Sequence, residues 1–187
     1  MPDKKGFHWP GGNCRLFVGV ALSSAQQQQI APVLAALPAA LKPVPVPNLH
    51  LTLRFLGQSS EAQARQLWAL LSAASLPAFS VRLDELLCWS GPRVLCLAGA
   101  MTDPWLPQLD DIITQAAARA GYPPAQHPLH PHLTLARNAK LLPPSSVTVS
   151  ALEVQPSELH LYQSVSTPDG VKYLILASLA LANSYSA

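Results

Sequence analysis

The sequence predicts an α+β fold built as two related halves, and three observations predict it. Segments with the two-residue period of strands alternate with segments at helical spacing along the chain. The tetrapeptide HLTL occurs twice without a change, at residues 50–53 and 132–135. Each copy sits in an extended apolar stretch with a helical segment and further strand-like segments around it, a weak internal symmetry between the halves.

Bulk properties bound what such a chain does. Its 187 residues suffice for one sizeable core. Hydrophobic residues make up 49% and charged residues 12%, the balance of a globular chain and not of a disordered one. A formal charge of +2 is too small for bulk attraction to nucleic acid. An anionic ligand therefore has to be caught locally, by a few placed cations and backbone amides. The longest apolar run, 174–182, falls short of the roughly 20 residues of a membrane-spanning helix. No signal-like segment opens the chain, so a soluble cytoplasmic protein without membrane contact is expected. Cys14, Cys88 and Cys96 are odd in number and lack a zinc spacing, which argues for reduced thiols. Cys88 and Cys96 could face each other across a hairpin, most simply as free thiols on neighbouring strands.

Residues 1–13, rich in Pro, Gly and Lys, are expected to form a flexible arm, leaving 14–187 as one domain. RLFVGVAL then reads as a buried strand. Ser23 or Ser24 can cap a helix whose apolar positions Ile30, Val33, Leu34, Leu37 and Leu41 share one face. KPVPVPN is a stiff extended connector into the first HLTL strand. Ser60-Glu61-Ala62-Gln63 matches a capping box, and Leu67, Leu70 and Leu71 carry that helix to about residue 75. FSVRLDELLCWS and RVLCLAGA read as two strands joined at Gly91-Pro92. Asp103-Pro104 starts a third helix with Leu106, Leu109, Ile112 and Ile113 on its face, closed by Gly121. After the second HLTL strand, LLPPSS is a break, and strands are expected near 147–155, 158–166 and 172–181.

Successive side chains of a strand point to opposite faces. His50, Thr52 and Arg54 should therefore share one face, opposite Leu49, Leu51, Leu53 and Phe55. His132 and Thr134 should likewise oppose Leu133 and Leu135. The leucines anchor each strand while the polar face lines a cleft. Histidine titrates near neutrality, so a pair can hold one protonated and one neutral imidazole. That suits in-line displacement at phosphorus: the neutral ring takes a proton from water and the charged ring supplies one to the departing oxygen. A threonine hydroxyl two residues along can hold a non-bridging phosphate oxygen. This chemistry requires no metal, and no carboxylate cluster accompanies the motifs.

The two motifs resemble the paired HxTx signature of the 2H phosphoesterase superfamily. RLFVGVAL, NLHLTLRFLG, the hairpin around Trp89, HPHLTLAR and ELHLYQS are similar to the bacterial and archaeal RNA 2',3'-cyclic phosphodiesterases, also called 2'-5' RNA ligases, over residues 14–178. The resemblance implies a single bilobal domain over 14–187, two pseudo-symmetric lobes of antiparallel sheet and helices around a central cleft. It implies hydrolysis of an RNA terminal 2',3'-cyclic phosphate to a 2'-phosphate by a monomer with no cofactor and no obligate protein partner. Its partners would be RNA 3' ends or small nucleotides bearing a cyclic phosphate. His50 would be the proton donor to the 3' oxygen and His132 the proton acceptor that activates water. Thr52 and Thr134 would bind phosphate oxygens, and Arg137 would add a cation if its strand ends or twists, because strict alternation puts it on the wrong face. Arg54 is a candidate phosphate contact or a solvated strand-end arginine. Phe55 is a candidate stacking residue or a core residue alternating with Leu53.

Three other readings stay open at this stage. His127, His130 and His132 could bind a metal, although Pro128 and Pro131 constrain the loop and no acidic ligand lies nearby in sequence. His160 and Tyr162 share a face of a late strand and could line the cleft. The same scaffold could act on a small cyclic nucleotide phosphate or a 2'-5' oligonucleotide. A non-catalytic RNA-binding module is disfavoured by the near-neutral charge and few aromatics. Ligation by a 5' hydroxyl in place of water would be ATP-independent, since no Gly-rich phosphate loop appears.

Overall fold

In chain order the elements are β1 (Cys14–Ala21), α1 (Ser24–Ala35), β2 (Lys42–Pro43), β3 (His50–Ser59), α2 (Glu61–Ser72), β4 (Val81–Leu83) and β5 (Glu85–Trp89). They continue with β6 (Val94–Ala98), α3 (Trp105–Arg119), β7 (His132–Arg137), β8 (Leu152–Val154), β9 (Glu158–Thr167) and β10 (Gly170–Ala180). These come from a computed structural model, which describes residues 7–140, 149–168 and 170–182. One antiparallel sheet runs in the order β10-β9-β1-β3-β7-β6-β5, with β2 paired to the end of β7. The strands carrying the two HLTL copies are therefore neighbours in the middle of the sheet.

The local signals explain where the helices begin. Ser23 and Ser60 each accept a hydrogen bond from the backbone N–H three residues on, and Gln26 and Gln63 return one, so both capping boxes are complete. Asp103 starts α3 by accepting from the Trp105 N–H at 2.9 Å. α1 stops at Ala35, short of the expected Leu41, because Pro38 cannot continue a helix. α2 ends at Ser72 instead of about residue 75.

One face of the sheet packs on the helices. Leu16, Val18, Leu51, Leu95, Leu97 and Leu133 join Leu67, Leu71, Leu106, Leu109 and Ile113 in one core cluster. Each such fully buried leucine contributes on the order of 2 kcal/mol by leaving water. Residues 7–13, expected to be part of a flexible arm, are tied to this body. The Phe7 and Trp9 rings lie 6.2 Å apart and pack on the core, and the Arg65 guanidinium sits 4.8 Å over Phe7.

Two strand expectations are revised. FSVRLDELLCWS is broken at Asp84: β4 leaves the main sheet to pair with β8, while β5 stays beside β6. Gly99 permits that crossing, since a Cβ there would lie 1.9 Å from the Arg82 carbonyl oxygen. The strand expected at 147–155 is β8 alone, and residues 147–148 lie outside the described residues. Cys88 pairs with Leu95 and Cys96 with Leu87, so the two thiols point to opposite faces of the hairpin. All three cysteines are free.

Candidate active site

Leu51 and Leu133, the second residues of the two motifs, are direct cross-strand partners. Antiparallel geometry then puts His50 beside Thr134 and Thr52 beside His132, all four on the face opposite the helical core. The two histidines occupy diagonal corners of this square, a separation of roughly 7–8 Å between backbone positions. Beyond the single Leu51–Leu133 pair the strands diverge, opening the cleft. Gly19 of β1 lies beside Thr52, and a Cβ there would meet the Leu51 carbonyl oxygen at 2.5 Å, so only glycine lets β1 approach the motif this closely.

Both imidazoles are oriented in the same way. His50 Nδ1–H donates to the Asn48 carbonyl at 2.7 Å, and His132 Nδ1–H donates to the His130 carbonyl at 2.7 Å. A carbonyl only accepts, so each Nδ1 carries a proton and each Nε2 is left for chemistry in the cleft. Burial pushes the His50 pKa down to about 4, against the favourable Nδ1 hydrogen bond, and the positive charges of His132 and Arg137 add to the lowering. Burial also lowers His132, against the hydrogen bond to the His130 carbonyl, and the positive charge of the His130 ring adds to the lowering.

A matching irregularity follows each motif. Across β1, Thr52 pairs with Gly19 and Arg54 with Val18, so Leu53 is bulged out of the ladder. Across β6, Thr134 pairs with Cys96 and Ala136 with Leu95, so Leu135 is bulged in the same way. A bulge at the fourth residue reverses the alternation beyond it. Arg137 thereby joins His132 and Thr134 on the cleft face, as its expected role requires. Phe55 does the same beside His50 and is 67% exposed, which removes the core alternative. Its ring lies 6.1 Å from Phe17, which in turn lies 4.7 Å from His50.

The same bulge overturns the placement of Arg54. It pairs with the core residue Val18, is 5% exposed, and donates from Nη2 to the Pro123 carbonyl at 2.6 Å. It does not share the face of His50, and it is not a solvated strand-end residue. It still borders a cavity of about 1100 Å³ between β3 and the loop at 123–130, with Thr52, Phe55, Trp89, His130 and His132.

A family model described as LigT like Phosphoesterase matches residues 20–96, which hold the first HLTL copy but not the second. The RNA 2',3'-cyclic phosphodiesterase of Escherichia coli (strain K12) is 33% identical over 172 residues, covering 89% of this chain and 96% of that protein. The chain belongs to the LigT-like phosphoesterase family. The RNA 2',3'-cyclic phosphodiesterase of Aeropyrum pernix is 30% identical over 157 residues, covering 77% of this chain and 88% of that protein. The crystal structure of E. coli LigT complexed with 3'-AMP matches with a TM-score of 0.79 at 32% identity, over 92% of this chain and all 100% of that one. The α+β fold expected from the paired motifs is thus the LigT-like one.

Tyr173 and Trp89 at this LigT-like site are not marked as site residues by the sequence pattern, whereas His160 and Tyr162 are. Tyr173 of β10 stands edge-on to the His50 ring at 4.7 Å, and its hydroxyl accepts from Arg137 Nη2 at 3.4 Å. Trp89 flanks His132 at 4.5 Å and His130 at 5.6 Å. Tyr162 stacks on Phe17 at 4.8 Å, while His160 is buried beside it with Nδ1 2.8 Å from the Ser178 hydroxyl. His127 and His130 are exposed, and among the described residues no three His, Cys, Asp or Glu side chains are grouped as metal ligands.

Proposed function

We propose that this chain hydrolyses the 2',3'-cyclic phosphate at an RNA 3' end to a 2'-phosphate, by acid–base catalysis between His132 and His50. The observation that carries the reading is the pair of imidazoles set diagonally about Leu51 and Leu133, each with Nδ1 tied to a carbonyl. His132 Nε2 accepts a proton from water as the water oxygen bonds to phosphorus. The bond from phosphorus to O3' breaks, and His50 gives the departing oxygen its Nε2 proton. The products are a 2'-phosphate and a 3'-hydroxyl, and proton exchange with solvent resets the pair. Thr52 and Thr134 donate to non-bridging oxygens, Arg137 supplies the positive charge, and Phe55 stacks on a base. Burial disfavours the imidazolium form of both rings, and an anionic phosphate between them restores it, so the substrate itself promotes protonation of His50.

The same site carries out ATP-independent 2'-5' ligation when an RNA 5'-hydroxyl takes the place of water. It acts as a monomer in the cytoplasm, a compartment that suits the three free thiols.

The test is hydrolysis of an oligonucleotide ending in a 2',3'-cyclic phosphate, in the presence of EDTA, by wild type, His50→Ala and His132→Ala. A 2'-phosphate product, reduced by about a hundredfold or more in each variant and indifferent to EDTA, is expected. Turnover of a cyclic mononucleotide but not of the oligonucleotide would keep the chemistry and move the substrate. Turnover of neither would leave binding as the function.

A further inference from the structure

Arg137 is held in the cleft by an unusual partner for a cation. Among the described residues no carboxylate lies within ion-pair distance of it. Its Nη2 donates instead to the phenol of Tyr173, on the far edge strand of the other half of the sheet. A carboxylate in that position would fix the guanidinium but neutralise it. A phenol carries no formal charge, so it fixes the geometry and leaves the positive charge for an anion. The ring of the same tyrosine does a second job. It stands at 75° to the His50 ring and at 88° to Phe17, whose centroid is 5.2 Å away, covering a side of the imidazole from water.

We propose that Tyr173 is the positioning residue of this site, its hydroxyl presenting Arg137 to the phosphate and its ring setting the dry environment of His50. The proposal rests on the cyclic-phosphate reading above and adds to it a residue that joins the two halves. Hydroxyl and ring act on different groups, so they are separable. Groups that face His50 are Phe17 from β1, Tyr162 from β9, Tyr173 from β10, and His132 and Arg137 from β7. Of these, removing the Tyr173 ring changes burial without changing charge, so it should raise the His50 titration midpoint towards its ordinary value.

The experiment uses inorganic phosphate as the probe and follows the His50 and His132 ring resonances by NMR in wild type, Tyr173→Phe, Tyr173→Ala and Arg137→Gln. Tyr173→Phe is expected to weaken phosphate binding about fivefold, the effect of one lost hydrogen bond, with the His50 midpoint where it is in wild type. Tyr173→Ala is expected to weaken phosphate similarly and also to raise the His50 midpoint by about one pH unit. Wild-type phosphate affinity in Tyr173→Phe would overturn the hydroxyl role, and an unmoved midpoint in Tyr173→Ala would overturn the ring role. If the alanine variant does not fold, Tyr173→Gln, which admits water beside His50, decides the ring role in its place. Neither readout depends on turnover, so a failure of the cyclic-phosphate reading appears separately, as a wild type that binds phosphate but does not hydrolyse the oligonucleotide.

Discussion

Leu51 and Leu133 pair directly across the centre of the sheet, and both are fully buried. Their contact sets the register of the two motifs, because a one-residue slip would turn every neighbouring side chain to the wrong face. The polar square of the site is therefore supported by an apolar pair behind it. Leu51→Ala or Leu133→Ala should each destabilise the fold by about 2–5 kcal/mol. The two leucines share one neighbourhood, so the double variant should depart from the sum by about 0.5 kcal/mol or more. Urea unfolding of the four proteins measures this, and strict additivity would show that the two side chains do not share a cavity.

Arg54 and Arg137 sit one residue apart in the motif frame and on opposite faces of the sheet, so their replacements should fail in opposite ways. Arg54 is buried, and its Nε and Nη1 have no hydrogen-bond partner. Its charge also acts on Asp110 of α3, lowering that carboxyl against burial, so removing the guanidinium leaves a half-buried carboxylate without its cation. Arg54→Met should destabilise the fold by about 1–3 kcal/mol, and Arg54→Ala, which also leaves a cavity, by about 2–4 kcal/mol. Arg137 is exposed, so Arg137→Met should change stability by no more than about 0.5 kcal/mol while weakening phosphate binding. Thermal unfolding and phosphate titration of the three variants together check the assignment. A large stability loss in Arg137→Met would contradict it.

What the sequence made legible, and what it hid, divides by distance along the chain. The capping box at Ser60 and Gln63 and the alternation through His50, Leu51 and Thr52 are local, and both are realised. The bulges at Leu53 and Leu135 are set by the partner strands β1 and β6, and leucine carries no signature of a bulge. Reading strict alternation past Leu53 therefore exchanges the faces of Arg54 and Phe55. Past Leu135 it does the same to Ala136 and Arg137. Tyr173 was hidden for a related reason. Tyr173 stands on β10, three strands along from β3, so its ring meets His50 through a tertiary contact that no local pattern of the sequence marks.

The cysteines should differ sharply in reactivity. Burial pushes the Cys96 thiol up to about 11, outweighing its contact with the Thr134 hydroxyl, and burial also raises Cys14. Only the thiolate reacts with alkylating agents, so both should be inert in the folded protein. Cys88 is half-buried on the other face of its hairpin and should be modified first. Iodoacetamide at pH 8, followed by mass spectrometry of peptides before and after denaturation, reads this order. Early labelling of Cys96 would mean that the β5–β6 hairpin opens in solution.

The two half-buried imidazoles should make the fold acid-sensitive. In the unfolded chain each titrates near 6.5, whereas burial holds His50 near 4 in the folded protein and lowers His132 as well. Below pH 6.5 the unfolded state thus binds more protons than the native state, and stability falls as pH falls. The contribution is fully present above about pH 6.5 and is lost progressively as the pH drops towards 4. Asp110, whose carboxyl is raised by burial and by Asp111, works in the opposite sense in the carboxylate range. For His50 alone the loss should be about 2 kcal/mol. Urea midpoints of wild type and His50→Gln at pH 7.5 and 4.5 isolate that share, since the remaining titrating groups are common to both. The wild type should lose more stability than the variant over this interval, and equal losses would mean that the His50 ring is hydrated in the folded protein.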